Sequence, residues 1–448
     1  MSDNATISAW SDHALQLART HARTRLDPAA WRETLKRILV ELHDCAMSAP
    51  SDVRQAFEDL LEGDLMREAK ERSRRIDADH VLDWPDPAGE SPRHLFKALS
   101  VQLRGIDESL FLDPDAPPTD PEPFETYCRT SDPAGAWRPR FVVKRLNARP
   151  ALSSRDNHAF VLRGLRHHRL LPARHQDRDV VLYPMSGLTP PETRLPPIAE
   201  RPLGAALFEG FVCVDPNIDT LAGPFTFKRV SHRDVGETVR LQLRRARHER
   251  CFAVVWPELT VPPDVRAAIR RELEDGDDME GALQVIVAGS WHEADGSKTV
   301  NQSQVYSGLG EKLLTFQKIL PYRGKGERAV ESIESGTRLP VLVTDEALIA
   351  FGICRDFCEN EDISYPDLDV DLILVPSLGT ATAMRGHVQT AQRLATRHRT
   401  RSFVVQQEIP ARTERLGWVL NCGSNLETDV EQAEVFRAHG RDPPKAVD

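Results

Sequence analysis

Three side chains of complementary chemistry stand at the ends of apolar runs in the second half of the sequence. Glu258 lies in Trp256-Pro257-Glu258-Leu259, Lys318 in Phe316-Gln317-Lys318-Ile319-Leu320-Pro321, and Cys354 in Phe351-Gly352-Ile353-Cys354-Arg355-Asp356. Together they offer a carboxylate, an ammonium and a thiol. A thiol has a reference pKa near ~8.5, so it attacks an unreactive carbonyl only when a neighbour takes or holds its proton. Glu258 is the candidate base and later the candidate acid. Attack leaves negative charge on the former carbonyl oxygen, which a fixed cation such as Lys318 and a backbone N–H, that of Arg355, are suited to stabilise. Cys358 is a rival thiol, but it stands past the strand end without the preceding Gly-Ile step, and it reads as structural.

The elements that must carry these groups are short and buried. Phe252 to Trp256 reads as a strand delivering Glu258, and Leu348 to Ile353 as a strand delivering Cys354. Further strands are expected at Ala205 to Val214, Leu283 to Ala288, Leu372 to Val375 and Phe403 to Val405. Helices are expected at Val235 to Arg250 and Ala381 to Arg399. Strands alternating with helices imply a layered α/β domain.

In order and context these motifs resemble the Glu-Lys-Cys triad of the carbon-nitrogen hydrolase (nitrilase) superfamily. The resemblance spans about residues 203–424. Ala288-Gly289-Ser290 is similar to the family's glycine-containing strand end, and Asn301 stands at the place of its asparagine. Asp371 to Ser377 resembles the apolar strand and Pro-Ser turn after the nucleophile, and Gln392-Arg393-Leu394-Ala395 the arginine-bearing helix that follows. Lys318 follows Glu258 by 60 residues, and Cys354 follows Lys318 by 36.

The resemblance implies a four-layer α-β-β-α sandwich, a homodimer, and cleavage of a non-peptide C–N bond through a cysteine thioester without metal or organic cofactor. Cys354-Arg355-Asp356 is of the Cys-x-Asp type found in amidase-like branches, which favours a small carboxamide over a nitrile. Hydrolysis of a nitrile or transfer of the acyl group to another acceptor are alternatives on the same triad. A second glutamate follows the lysine in this family, and Glu327 is the nearest match. Arg355 stands where a neutral residue is common; it either brings positive charge to an acidic substrate or pairs with Asp356 or a neighbouring acid.

The chain has 448 residues and a net charge of −10, with two-fifths of its residues apolar. That length implies more than one domain. No apolar run is long enough for a membrane span, and the first residues lack a basic start followed by an apolar stretch, so the expectation is a cytoplasmic protein with no membrane association. Seven scattered cysteines without a Cys-x-x-Cys pair argue against a disulfide framework and a structural zinc site. Residues 1–112 read as a helical module, with helices beginning near Trp31 and Ser51, and one from Ser91-Pro92 to Gly105. A Pro-rich linker follows at 113–139, then a basic mixed segment at 140–183 with strands at Phe141 to Val143 and Val180 to Tyr183. A second Pro-rich linker at 184–202 is the expected main boundary, before the hydrolase domain at 203–426 and a charged, helical tail at 427–448. Arg138 to Arg178 holds eleven Arg or Lys and two acids; a solvated face accounts for this, and a phosphate-binding surface is the sharper alternative. The N-terminal half is thus a candidate binder of protein or nucleic acid. In that second reading, the hydrolase domain is an effector or sensor of a regulatory or defence module.

Overall fold

A computed structural model describes residues 4–57, 62–84, 91–111, 125–127, 140–144, 164–175, 177–185, 198, 200–215, 222–232, 234–275, 283–324, 329–344, 347–358, 365, 368–412, 415–423, 427–433 and 436–439. The chain divides into two compact units, Met1–Arg174 and His175–Asp448.

In the first unit, Trp31–Ser48 buries Leu35, Ile38, Leu39 and Leu42 at helical spacing. The helix Pro92–Phe111 is buried along most of its length. It does not end at Gly105, as its sequence suggested. A Cβ at Gly105 would lie 2.6 Å from the Cβ of Arg72, so the glycine marks where the helix Glu62–Asp79 presses against it rather than a C-terminus. The helix expected from Ser51 is a single turn, Ser51–Arg54, with a 3-10 turn after it. Two helices, Asn4–His21 and Glu62–Asp79, were not anticipated. Glu125–Tyr127 pairs with Arg140–Lys144, which pairs with His168–Pro172. The first Pro-rich stretch therefore holds a strand; the rest of 113–139 lies outside the described residues.

The second unit is built on two sheets. One runs in the order Trp291–Asp295, Lys298–Tyr306, Val285–Val287, Ala253–Val255, Leu203–Ala205, Arg437–His439, with Lys312–Gln317 also paired to Lys298–Tyr306. The other holds Thr428–Ala433, Arg415–Cys422, Arg401–Arg412, Leu372–Gly379, Leu348–Phe351, Arg338–Thr344 and Arg178–Met185 in that order. Central strands are buried on both faces, which is why they read as unbroken apolar runs. Ala253 and Val255 join Leu342, Ile349, Leu374, Phe403 and Val405 in one core. Val254, on the opposite face of its strand, packs with Val239 and Leu243 of the helix Val235–His248 and with Val265 and Ile269 of Pro263–Glu274.

Two boundary expectations are corrected. Arg178–Met185 pairs in parallel with Arg338–Thr344 from Asp179 to Met185, so the division of the chain falls before this strand and not in 184–202. The tail is not helical in its described part: Thr428–Ala433 adds to Arg415–Cys422 and Arg437–His439 to Leu203–Ala205 as antiparallel edge strands. Residues 440–448 lie outside the described residues.

Candidate active site

Glu258 leaves the end of Ala253–Val255 in a turn fixed on several sides. Trp256 Nε1 donates to Gln242 Oε1 at 2.9 Å, and Thr260 Oγ1 to the Pro257 carbonyl at 2.8 Å. Leu259, with φ of 54°, donates its N–H to Ser290 Oγ at 3.2 Å. Gly289 has φ of 50°, and a Cβ there would come within 2.5 Å of the Pro257 oxygen. Ala288-Gly289-Ser290 thus acts as the seat for the loop that carries Glu258.

Lys318 follows the strand Lys312–Gln317, and its backbone N–H donates to Asn301 O at 2.7 Å, continuing the pairing with Lys298–Tyr306. The side chain is buried between two carboxylates. Nζ donates to Glu258 Oε1 at 2.7 Å and to Glu331 Oε2 at 2.6 Å. Asn301 Nδ2 bridges the same two acids, at 3.0 Å to Glu258 Oε1 and 2.9 Å to Glu331 Oε1. Although burial opposes charge on Lys318, Glu258 and Glu331 hold its ammonium well above its usual range. Of three ammonium donors, two are used within the protein. Glu258 Oε2 accepts no hydrogen bond from the described residues.

Glu331 is the group that sequence reasoning did not select. Glu327, the residue chosen by its offset from Lys318, lies outside the described residues. Glu331 ends the strand Ala329–Glu331, which pairs in parallel with Gly223–Phe225. Four donors converge on it: Lys318 Nζ, Asn301 Nδ2, the Tyr322 N–H at 2.7 Å and His292 Nε2 at 2.8 Å. His292 Nδ1 accepts from the Phe227 N–H at 2.6 Å, which leaves Nε2 as the donor to Glu331. Burial resists ionisation of Glu331, but Lys318 and His292 outweigh it and hold the acid far below the ordinary range. The only sequence signal for His292 was its place just after the Ala-Gly-Ser step.

Cys354 opens a 3-10 turn, Cys354–Phe357, beyond the strand Leu348–Phe351, and adopts φ of 45°. A left-handed conformation at a non-glycine residue costs about 1–2 kcal/mol and persists where its surroundings enforce it. Asp356 supplies part of that enforcement: Oδ1 accepts the N–H groups of Ile319 and Leu320 at 3.0 and 2.7 Å, and Oδ2 that of Ile353 at 3.0 Å. One carboxylate therefore ties the turn carrying Cys354 to the chain leaving Lys318. Burial and then the charge of Glu258 push the Cys354 thiol far up, against the pull of Lys318. The resting group is a thiol and requires a base. Ser377 contacts it, and Ser377 Oγ lies 3.1 Å from His387 Nε2. Burial lowers His387 to about 4, which leaves that imidazole neutral at pH 7.

Glu258, Lys318, Glu331, Cys354 and Arg355 line one cavity of about 520 Å³, whose walls include Phe225, Phe227, Leu259, Leu378 and Ile409. The rival thiol Cys358 lines it too, with Sγ 3.7 Å from the Ala383 carbonyl. The arrangement can perform base-assisted attack by sulfur on a bound electrophile, with a fixed cation at hand. A cluster elsewhere, Asp429, Glu431 and His439, has ligand-type atoms within 4.8 Å of one another, but Glu431 already faces Arg437 at 3.5 Å and His439 at 3.3 Å. In the first unit, the described histidines of the basic segment are turned inward: His168 Nδ1 lies 2.9 Å from Asp107 and His167 Nε2 3.3 Å from Glu108. Arg169 is buried as well, so these three groups do not form a phosphate-binding face.

No family profile and no curated protein matches this sequence. Among solved structures, the NitN amidase from Nesterenkonia sp. AN1 is similar at 16% identity and a TM-score of 0.38, over 55% of this chain and 94% of that one. A variant of that amidase, with acrylamide added at its active-site cysteine, is similar at 15% identity and a TM-score of 0.38, over 54% of this chain and 93% of that one. Another variant, described as an amidase from the nitrilase superfamily, is similar at 15% identity and a TM-score of 0.36, over 51% and 86%.

Proposed function

We propose that the second unit is a carbon-nitrogen hydrolase that cleaves a small carboxamide through a thioester on Cys354. The observation that carries this reading is the set of roles already divided within one cavity. Lys318 is pinned by two carboxylates, Glu258 keeps one oxygen without a donor among the described residues, and a protonated thiol lines the same space. Glu258 Oε2 takes the proton as Cys354 Sγ attacks the carbonyl carbon. The remaining ammonium N–H of Lys318 and the backbone N–H of Arg355 stabilise the tetrahedral oxyanion. Glu258 then gives its proton to the departing nitrogen, and the C–N bond breaks. Water, losing a proton to Glu258, attacks the thioester, and the acid and free thiol are released. Glu331 holds Lys318 in place and charged, and the two sheets with helices on their outer faces are read as the α-β-β-α sandwich.

Intact-mass measurement of the full chain with a library of primary amides tests this. The expected result is an acyl adduct on Cys354, absent in Cys354→Ala, with turnover lost in Cys354→Ala, Glu258→Gln and Lys318→Met. Cys358→Ala should lose less than about tenfold, since a cavity wall is altered and no reacting group removed. Full amidase activity in folded Cys354→Ala would refute the nucleophile.

A further inference from the structure

The two readings of Arg355 left open by the sequence are separated by its surroundings. Asp356, the adjacent acid, is occupied by three backbone N–H groups. No carboxylate among the described residues forms a salt bridge with Arg355. Its half-buried guanidinium instead donates Nη1 to the Pro321 carbonyl at 2.7 Å, which fixes its position while leaving most of its five donors unused. It lines the cavity beside the nucleophile, and Arg323 adds a second positive charge to the same lining.

Among the described residues, neither acid of the cavity pairs with Arg355. Glu331 is saturated by four donors, and Glu258 is held on Lys318. A partly desolvated cation without a counter-ion is unfavourable unless an anion joins it, and a guanidinium's planar fork matches a carboxylate. The nearby walls of Phe225, Leu259 and Leu378 suit an apolar spacer.

We propose that Arg355 anchors an anionic group of the substrate, so that the amide cleaved is one carrying a carboxylate separated from the scissile carbonyl by a short apolar chain. This rests on the hydrolase reading and adds the substrate class to it.

The test compares monoamides of short dicarboxylic acids with neutral primary amides of equal chain length on the full-length protein. Ammonia release gives kcat/KM, and intact mass reports acylation of Cys354. The wild type should favour the acidic amide. In Arg355→Gln that preference should fall by about tenfold to a hundredfold, the range of a charge-assisted hydrogen bond, chiefly through KM. Arg355→Glu should reverse the order. Equal kcat/KM for the two series in the wild type, or an unchanged ratio in folded Arg355→Gln, overturns the inference while leaving Cys354 acylation, and with it the hydrolase reading, intact. Absence of acylation by every amide of both series overturns both.

Discussion

Replacing Glu331 by glutamine isolates the part of the site that sequence offset could not find. Each oxygen of this carboxylate faces two donors: Oε1 accepts from His292 Nε2 and Asn301 Nδ2, and Oε2 from Lys318 Nζ and the Tyr322 N–H. Only an acceptor-only group satisfies all four. In Glu331→Gln, whichever way the amide turns, its NH2 meets two donors. Counted as two charge-assisted bonds at about 1.5–3 kcal/mol each, or alternatively as one broken buried ion pair at about 3–5 kcal/mol, the same loss comes to a destabilisation of roughly 4 kcal/mol. For a unit of this size that lowers Tm by about 10 °C. Where the fold survives, Lys318 loses one of its two anionic partners, and Cys354 acylation should slow by about a hundredfold or more. Glu334→Gln is the control: that acid pairs with Lys298 at 2.6 Å but is 53% exposed, and its loss should cost less than about 1 kcal/mol. Thermal unfolding and the acylation rate by intact mass are the two assays. A Glu331→Gln protein with the Tm of Glu334→Gln and an acylation rate within twofold of wild type would refute the argument that the four-donor site holds Lys318.

Two further outcomes are expected. Gly289→Ala must relieve a contact of 2.5 Å with the Pro257 oxygen at a positive φ, so it should destabilise the second unit by about 2 kcal/mol and slow acylation by displacing Glu258; wild-type acylation kinetics in this variant would show that the Gly289 turn does not set the position of Glu258. In the first unit, burial opposes ionisation of Asp107, yet the side-chain hydrogen bond with His168 and the electrostatic pull of His168, Arg104 and His167 bring it down to about 2. Because the folded value lies below the unfolded one, its contribution, on the order of 2 kcal/mol, is present above pH 4 and is lost as pH falls toward 2. Hydrogen exchange in Pro92–Phe111 should show that acid dependence in the wild type and not in Asp107→Asn; identical profiles would refute it.

The sequence by itself determined the positions of the chemistry-bearing groups. Glu258 and Cys354 each end an apolar run and Lys318 interrupts one, and for the first two the run is local information: a strand buried on both faces needs apolar residues at successive positions, and the end of the run marks where it emerges. Asn301 and the Ala288-Gly289-Ser290 seat were marked only by the family resemblance. What the tertiary structure decided is which separate pieces meet. Glu331 reaches Lys318 because Ala329–Glu331 pairs with Gly223–Phe225, and His292 reaches Glu331 through the pairing of Trp291–Asp295 with Lys298–Tyr306. Distance along the chain pointed to Glu327 instead. Arg178–Met185 belongs to the second unit because its ladder partner, Arg338–Thr344, lies far along the chain, and nothing in its own composition names that partner. Thr428–Ala433 is polar and half exposed, so it carries no strand signature; its conformation comes from the open edge of Arg415–Cys422. Periodicity records which face of an element is buried, whereas a hydrogen-bond ladder is made by backbone groups common to every residue, so strand partners and the side chains they bring together emerge only in the folded chain.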